Sequence, residues 1–416
     1  MQFKINFTRR LTRVIKISSS ILIIFVVLLL SGFTEFESDN LYSYQWGLKN
    51  NGNFLVDKSI LKISHNPVYF NKLINDMMFY DDKNALVYLY SSGLAYNSLF
   101  AKEGFDINWE EGYKRFKNTS GGRDVVVAII DTGVDINHYE LADSIWVNVD
   151  EIPGNGIDDD HNGYIDDVNG YNFNKKNNIV LPEVETEVHG THAAGIIASK
   201  HNNSGIRGIA YDEHVKIMPL KVLDANESGY MSAVIEAINY AKTNGANICN
   251  LSLGAYTYDA NIDKAIRDNP EMLFVVSAGN GQEYIGYSLD ERDVYPAKLE
   301  YDNIITVSNA SFDGNRYESA NYGSYVDVFA PGTLILSTTP NNGFAYLTGT
   351  SMAAPFVSAV CAMIYSKFPY IPITSYKKII INSSTPVSSL MGINKSYGMV
   401  NVSDAIKIAS TFGGGR

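Results

Sequence analysis

Cysteine is scarce in this chain, which has only Cys249 and Cys361 among its 416 residues. Each cysteine lies inside an apolar run, and two cysteines make no disulfide framework. We therefore expect two unpaired buried thiols, although a disulfide between them stays open in an exported protein. The motif H-E-x-x-H, which would hold zinc on one helix face, is absent, and so is G-x-S-x-G. These absences argue against a zinc peptidase and against an acyl hydrolase of the G-x-S-x-G type.

Basic residues are fewer than acidic ones: the chain has 33 Lys and Arg residues and 45 Asp and Glu residues, which gives a formal net charge of -12. Because the acidic residues are spread widely, this balance argues against a nucleic-acid partner and is compatible with calcium-binding loops. With 45% apolar residues the chain can bury a core, and its length allows one large α/β domain or two domains. It has no internal repeat and no low-complexity linker, and nothing in it indicates an oligomeric state.

The N-terminus differs from the rest of the chain. Residues 1–14 form a basic n-region that is expected to stay in the cytoplasm, and residues 15–32 contain an apolar stretch from Ile21 to Leu30. This pattern is typical of a signal peptide or a signal-anchor. The small residues Ser31 and Gly32 make a poor cleavage site, so we favour an uncleaved membrane anchor, with secretion after cleavage as the alternative. In both cases the rest of the chain lies outside the cytoplasm.

The remaining segments divide by their pattern. Residues 33–52 form a short lead segment that ends in a turn at Asn51-Gly52, and residues 53–106 read as a peripheral insertion of unknown role. Residues 107–408 are expected to form one domain, and residues 409–416 a flexible tail.

Strands and helices alternate after Asp124. The first predicted strand is Val125 to Ile130, a continuous apolar run that is typical of a strand buried on both faces. Further strands are predicted at 216–223, 248–253, 273–277, 304–307 and 326–329, with helices at 189–199, 232–244 and 261–267 and after Ser351. This alternation indicates an α/β fold with a mostly parallel central sheet and helices on both faces.

Three chemically distinctive residues lie where ligands bind in such sheets, at strand ends and helix starts. Asp131 ends a strand, and His189 and Ser351 each begin a helix. Acyl transfer needs a hydroxyl nucleophile, an imidazole that takes and returns its proton, and a carboxylate that orients the imidazole. Each residue also has a simpler explanation: Asp131 as a turn residue, Ser351 as a helix cap, and His189 as a cap or a metal ligand beside His192.

A fourth candidate is Asn280, which follows the strand 273–277 in the sequence Ala278-Gly279-Asn280-Gly281. Its side-chain amide can donate to a developing oxyanion, and its simpler explanation is a turn.

The three catalytic candidates lie in motifs that together resemble the signature blocks of the subtilisin-like serine proteases, the subtilases. The blocks are Asp131-Thr132-Gly133-Val134-Asp135, His189-Gly190-Thr191-His192-Ala193-Ala194-Gly195 and Gly349-Thr350-Ser351-Met352-Ala353-Ala354-Pro355. The order aspartate, histidine, serine is that of subtilisin and differs from the orders in chymotrypsin-like and α/β-hydrolase enzymes. The resemblance runs from about Gln45 to Ile408, without residues 53–106, and implies the subtilisin-like three-layer fold.

The resemblance also implies roles for these residues in a serine endopeptidase. Asp131 would orient the imidazole, His189 would act as general base, and Ser351 would form an acyl-enzyme with a protein or peptide substrate. The Asn280 side chain and the Ser351 backbone N–H would form the oxyanion hole. His192 is expected to support its helix rather than react.

The same resemblance predicts two strand edges that hold an extended peptide by its backbone. The predicted substrate-binding residues are Ser228 and Gly229 on one edge and Ser252, Leu253 and Gly254 on the other, with Ala278 and Gly279 beside them. It further implies a cis bond between Tyr295 and Pro296.

This sequence departs from the family pattern in several places. Val188 stands where the family usually has glycine, Ala193 replaces a common valine, and Ala255 replaces a common glycine. None of these changes removes a reacting group. Only residues 31–44 lie between the apolar stretch and Gln45, where the family usually has a propeptide that assists folding, so self-processing stays open.

Structural calcium is the expected cofactor. The run from Asp158 to Asp167 has oxygen ligands at alternate positions around Gly163, as in a calcium loop, although Asn169 stands where such a loop ends in glutamate. An Asx-rich turn is the alternative. The predicted ligands of this loop are Asp158, Asp160, Asn162, the Tyr164 carbonyl and Asp166. A second calcium site, at Gln45, Glu140 and Asn203, is implied by the resemblance alone, and the loop 202–206 is one residue short of the family pattern.

The sequence therefore predicts an exported serine endopeptidase of subtilisin type. The alternative from another class is a catalytically silent scaffold that binds a partner in the same cleft, although a scaffold has no physical need for Asp131, His189, Ser351 and Asn280 together.

Overall fold

The computed structural model describes residues 41–52, 101–281 and 285–412. The predicted n-region, the apolar segment 15–32 and most of the predicted insertion lie outside these residues. Contacts divide the chain into one unit of Met1–Leu41 with Asn202–Gly205 and a second of Tyr42–His201 with Ile206–Arg416. In the first, the Leu41 N–H donates to the Gly205 carbonyl at 2.8 Å. Within the described ranges, no helix is long and apolar enough to cross a membrane.

A nine-stranded sheet forms the centre of the second unit, with the strand order β10-β11-β7-β6-β5-β4-β1-β3-β2. Its pairs are parallel except for β10 with β11. Two further strands, β8 and β9, form an antiparallel hairpin. The strands are β1 (Val125–Asp131), β2 (Tyr171–Asn172), β3 (Val215–Lys221), β4 (Ile248–Leu251), β5 (Leu273–Ser277), β6 (Ile304–Ala310), β7 (Val328–Pro331), β8 (Ile335–Thr339), β9 (Gly343–Leu347), β10 (Thr385–Pro386) and β11 (Gly398–Met399).

Seven α-helices of the described residues surround this sheet. They are α1 (Trp109–Asn118), α2 (His189–Ala198), α3 (Met231–Thr243), α4 (Ala260–Arg267), α5 (Thr350–Lys367), α6 (Tyr376–Ser383) and α7 (Val402–Thr411). Helix α2 packs against α5 on one face of the sheet, and α3 packs against α4 on the other. Strands such as β1 therefore carry apolar residues at successive positions, because both of their faces are covered. The expected mostly parallel α/β fold with helices on both faces is confirmed.

The segment borders differ in detail from those expected. Helix α7 continues to Thr411, inside the predicted tail, and Ala409 in its last turn is buried. Residues 101–106, the end of the predicted insertion, pack on the lead segment, where the Gly104 N–H donates to the Asn50 carbonyl at 3.0 Å. The end of the predicted insertion therefore lies beside Asn50 in the lead segment.

Both cysteines are unpaired and buried, as expected. Burial raises the pKa of each thiol.

The arrangement of the sheet brings the predicted site together. Strands β1, β4 and β5 are parallel neighbours, so their carboxyl ends lie at the same edge. Asp131 ends β1, Ser252 follows β4, and Ala278-Gly279-Asn280 follows β5. Helix α5, which begins at Thr350, packs across these strands.

Candidate active site

The Asp131 carboxylate binds the His189 imidazole. Nδ1 of His189 lies 2.8 Å from Oδ1 and 2.9 Å from Oδ2 of Asp131. Asp131 is fully buried, and 11% of the histidine side chain is exposed. Because the carboxylate accepts a hydrogen bond from Nδ1–H, the neutral ring carries its proton on Nδ1 and its lone pair on Nε2. The pair can therefore supply a base at Nε2.

Glycine allows α2 to approach the turn after β1. A Cβ atom on Gly190 would lie 2.2 Å from the Gly133 carbonyl oxygen, which no side chain tolerates. The Gly190 N–H donates to Oγ1 of Thr132 at 3.1 Å. Gly133 itself has a φ of 101°, in the region that favours glycine. These contacts fix the first turn of α2, and with it His189, against the end of β1.

Ser351 lies in the first turn of α5 and is held by the segment after β4. Its Oγ donates to the Ser252 carbonyl at 3.1 Å, and the Ser252 hydroxyl donates to the Ser351 carbonyl at 2.9 Å. Ser351 is partly exposed, whereas Thr350 and Met352 beside it are buried. Ser351 is therefore the one residue of these three that solvent reaches in part.

Asn280 lies beside the start of α5. Its Oδ1 accepts a hydrogen bond from the Thr350 N–H at 3.2 Å, which leaves the amide Nδ2 as a donor on the exposed side of the loop. The position of Asn280 depends on Asn321, a fully buried residue that the sequence did not single out. Asn321 donates through Nδ2 to the Ala278 carbonyl at 2.9 Å and accepts at Oδ1 from the Tyr287 N–H at 2.8 Å.

The profile that describes the subtilase family matches residues 122–400, two thirds of the chain and all of the residues above. The chain belongs to the subtilase family. The resemblance read from the three sequence blocks is thereby confirmed.

Curated relatives of this subtilase come from Plasmodium and Bacillus species. It is 34% identical over 305 residues to Subtilisin-like protease 1 of Plasmodium falciparum (isolate 3D7), over 68% of this chain and 43% of that protein. It is 30% identical over 296 residues to Subtilisin DY of Bacillus licheniformis, over 71% of this chain and 93% of the relative. A third, the Major intracellular serine protease of Bacillus subtilis (strain 168), is 34% identical over 259 residues. The chain thus spans less than half of the Plasmodium protein.

His192 of this subtilase is fully buried on α2, and its Nε2 lies 2.9 Å from the Ile335 carbonyl and 3.2 Å from the Ala345 carbonyl. Because carbonyls only accept, Nε2 carries the proton. Burial lowers the pKa of His192 to about 3. The ring joins α2 to the β8–β9 hairpin, which agrees with a supporting position. The Tyr295–Pro296 bond is cis, as expected.

The predicted substrate edges of the subtilase are accessible. Ser228 and Gly229 are exposed in a turn closed by the Asp224 N–H, which donates to the Ser228 carbonyl at 2.9 Å. On the other edge Leu253 is half-buried and Gly254 is exposed. Gly279 is half-buried, whereas Ala278 and Ser252 are buried. Their role in binding stays a prediction.

The acidic loop groups a different set of carboxylates from the one expected. Oxygen atoms of Glu151, Asp160 and Asp167 lie within 4.8 Å of one another. Of the predicted ligands only Asp160 belongs to this group. The Asp158 carboxylate accepts from the Asn162 and Gly163 N–H groups, and that of Asp166 from Asn155 and Gly156.

The other two predicted loop ligands have side-chain or backbone partners close by. Asn162 donates through Nδ2 to Asp160 and to Asp167, and the Tyr164 ring packs against Tyr240. Sequence reasoning missed both Glu151, which precedes the predicted loop, and Asp167, which is the last residue of the predicted run.

The residues of the second predicted calcium site belong to both units, Gln45 and Glu140 to the second and Asn203 to the first. Gln45 exchanges two hydrogen bonds with the Arg207 backbone, at 2.8 and 3.0 Å. Glu140 is buried, with 1% of its surface exposed. Asn203 lies in the turn 202–205 with a φ of 64°. This site stays a prediction.

Proposed function

We propose that this subtilase is a serine endopeptidase that hydrolyses peptide bonds through an acyl-enzyme on Ser351. The observation that carries the proposal is the Asp131–His189 pair, with Nδ1 at 2.8 and 2.9 Å from the two carboxylate oxygens. A buried carboxylate that orients an imidazole, at the edge where a serine begins a helix, is the arrangement that acyl transfer requires.

The proposed reaction uses these groups in order. Nε2 of His189 takes the Ser351 proton as Oγ attacks the carbonyl carbon of the scissile bond. The imidazolium that forms is stabilised by Asp131, and it then gives the proton to the leaving amine. His189 then takes a proton from a water molecule as the water attacks the acyl carbon, and the imidazolium returns that proton to Oγ of Ser351 as the ester bond breaks.

Negative charge develops on the carbonyl oxygen during each attack. Nδ2 of Asn280 and the backbone N–H of Ser351 are the proposed donors to it. Oδ1 of Asn280 is bound to the Thr350 N–H, which orients the amide with Nδ2 outward. The N-terminus of α5 adds its positive dipole end at the same place.

The proposed substrate is an extended segment of a protein or peptide. It would lie between the turn at Ser228-Gly229 and the segment Ser252-Leu253-Gly254, and backbone hydrogen bonds would hold it. Recognition of this kind depends on the substrate backbone, and side-chain pockets set the preference.

Active-site labelling tests the proposal. A fluorophosphonate probe is expected to label the folded, calcium-loaded protein on Ser351, and Ser351→Ala and His189→Ala are expected to abolish labelling. Ser389→Ala, which removes a hydroxyl bound to the Gly314 carbonyl, is the matched control and should label normally. A folded protein that resists the probe would support the silent scaffold instead.

We also propose that calcium binds at Glu151, Asp160 and Asp167 as a structural cofactor. Three carboxylates with converging oxygens suit a hard cation. Oε2 of Glu151 is buried, and it has no hydrogen-bond partner among the described residues. A buried carboxylate oxygen of this kind is costly unless a cation or a donor meets it. Bound calcium would neutralise the cluster and hold the loop between β1 and β2 in place.

We further propose that the segment 15–32 exports the chain and keeps it anchored in the membrane, with the catalytic part outside the cytoplasm. The basic residues before an apolar stretch and the poor cleavage site after it support this arrangement. Membrane fractionation with N-terminal sequencing tests it. A mature chain that starts after Gly32 in the soluble fraction would favour secretion.

A further inference from the structure

A lysine and a glutamate form a buried ion pair next to the proposed catalytic residues. Nζ of Lys221 lies 2.8 Å from Oε2 of Glu187, and the two side chains are only 1% and 3% exposed. Neither residue takes part in the proposed reaction. Removing two charges from water is expensive, and apolar residues of similar size often stabilise a fold as well or better. The pair therefore calls for an explanation beyond stability.

Lys221 connects this pair to the end of β1. It is the last residue of β3 and lies opposite Asp131 in the parallel register. Its Nζ also donates to the Thr132 carbonyl and, at 3.3 Å, to the Leu223 carbonyl. The Leu223 N–H in turn donates to the Asp131 carbonyl at 3.2 Å. One ammonium group thus binds a backbone carbonyl directly after β1 and another shortly after β3.

Glu187 connects the pair to the start of α2. It lies two residues before His189, and its Oε2 also accepts from the Glu183 N–H at 2.6 Å. Helix α2 has no side-chain cap, because Val188 occupies the N-cap position. The ion pair therefore fixes the backbone that leads into His189.

We propose that the Lys221–Glu187 ion pair positions the Asp131–His189 couple by joining the end of β1 to the start of α2. This inference rests on the proposed peptidase function. Lys221 and Glu187 are positioning residues, since they act through the backbone around Asp131 and His189. The pair is neutral as a whole, so it sets the geometry without adding net charge beside the imidazole.

Because the ion pair is neutral, removing either of its charges should shift the pKa of His189, and this shift tests the inference. The titratable groups on the elements around His189 are Asp131 on β1, His192 on α2, Lys221 on β3 and Glu187 in the preceding loop. Removing the lysine leaves an extra negative charge, which stabilises the imidazolium. Removing the glutamate leaves an extra positive charge, which destabilises it.

The experiment measures kcat, KM and the pH profile of kcat/KM on a peptide substrate, with the full chain. Lys221→Met and Glu187→Gln are each expected to lower kcat about 10-fold or more with little change in KM. The acidic midpoint of the profile should move to higher pH in Lys221→Met and to lower pH in Glu187→Gln, by about half a unit or more. Lys221→Arg keeps the charge and should retain the wild-type midpoint.

Two further variants separate positioning from electrostatics and from general stability. In Lys221→Met/Glu187→Met both charges are gone, so the midpoint should return toward that of the wild type while kcat stays low. Lys395→Met breaks a matched pair, in which Nζ lies 3.1 Å from the buried Asp327 at the amino end of β7. That end is the opposite edge of the sheet, so the variant should lose stability and keep the wild-type profile.

Wild-type kcat and midpoint in the folded variants would overturn the inference. If the single variants fail to fold, the double variant decides, and wild-type turnover there overturns the inference as well. If Lys221→Met, Glu187→Gln and the double variant all fail to fold, the ion pair serves stability alone, and this result also overturns the inference. A wild-type protein without any activity that depends on Ser351 would instead refute the proposed function.

Discussion

Ser252 and Ser351 exchange two hydrogen bonds. The Ser252 hydroxyl donates to the Ser351 carbonyl at 2.9 Å, and the Ser351 hydroxyl donates to the Ser252 carbonyl at 3.1 Å. Pro355, four residues later in α5, has no N–H for the Ser351 carbonyl, so the Ser252 hydroxyl supplies a donor in its place. The end of β4 is thereby joined to the first turn of α5, the helix that carries the proposed nucleophile.

Replacing Ser252 by alanine should therefore weaken catalysis. Ser252→Ala leaves the Ser351 carbonyl without this donor, and we expect kcat to fall about 3- to 10-fold, as for the loss of one ordinary hydrogen bond. KM should change little. Steady-state kinetics on a peptide substrate check this expectation, with Ser252→Thr as the variant that keeps the hydroxyl. Equal kcat values for Ser252→Ala and the wild type would contradict it.

Replacing Asn280 should have a larger effect on turnover. In subtilisin itself, loss of the oxyanion asparagine lowers kcat about 10²–10³-fold, and we expect Asn280→Ala to lie in the same range. Asn280→Asp keeps the acceptor for the Thr350 N–H but has no amide donor, so it should be equally impaired. If Asn280→Asp were as active as the wild type, the amide would be a structural group and would not belong to the oxyanion hole.

The buried His192 predicts a dependence of stability on pH. Its pKa is lowered to about 3 in the folded protein, against an ordinary value of 6.5. Below pH 6.5 the unfolded chain takes up a proton that the folded protein does not, so the free energy of unfolding should decrease as the pH falls. The contribution is about 1.4 kcal/mol for each pH unit between these two values.

Urea unfolding of the wild type and of His192→Gln at several pH values measures this contribution. The variant should lose less stability than the wild type between pH 6.5 and the acidic end of the range. His201, whose pKa burial lowers to about 4, should behave in the same sense over a shorter range. If the free energy of unfolding depended on pH in the same way in the wild type and in His192→Gln, the lowered pKa of His192 would not be the cause of the pH dependence.

Calcium removal should lower the thermal stability of the wild type. Saturating calcium, at about 100 times its Kd, would add about 2.7 kcal/mol, and a chelator should therefore reduce Tm by several degrees. Glu151→Gln and Asp167→Asn should abolish most of the calcium-dependent shift. Asp158→Asn and Asp166→Asn should retain it, because these carboxylates lie outside the group formed by Glu151, Asp160 and Asp167. The reverse pattern would favour the loop ligands read from the sequence, and Asp313→Asn, in the turn Ser311–Asn315 outside this loop, is the control.

The central strands and the helices that cover them could be predicted from the sequence because their patterns are local. The apolar run of β1 shows that both of its faces are buried, and the predicted strand, Val125 to Ile130, is only one residue shorter than β1, which ends at Asp131. Helices α1, α6 and α7 and the β8–β9 hairpin were not predicted. Their segments mix polar and apolar residues, and packing against distant parts of the chain selects their structure.

The candidate site shows the same division at the level of single residues. Candidates for the reacting groups, such as His189, could be named because their chemistry and their order in the chain are distinctive. The residues that position these groups could not be named from the sequence. Nothing in the sequence distinguishes Lys221 from other lysines, because its ion-pair partner, Glu187, lies 34 residues earlier in the chain. In the acidic loop, regular spacing suggested one set of ligands, whereas the fold of the loop grouped Glu151 with Asp160 and Asp167.

The sequence by itself determined the order of the central strands and of the helices between them, the family and the candidates for the reacting groups, because these depend on local pattern and on residue type. Only the tertiary structure decided which charges are buried together, which carboxylates converge and which backbone groups hold Ser351 and Asn280 in place. The physical reason is that burial and hydrogen bonding depend on distances between residues that are far apart in the chain, and the packing of the whole domain sets those distances.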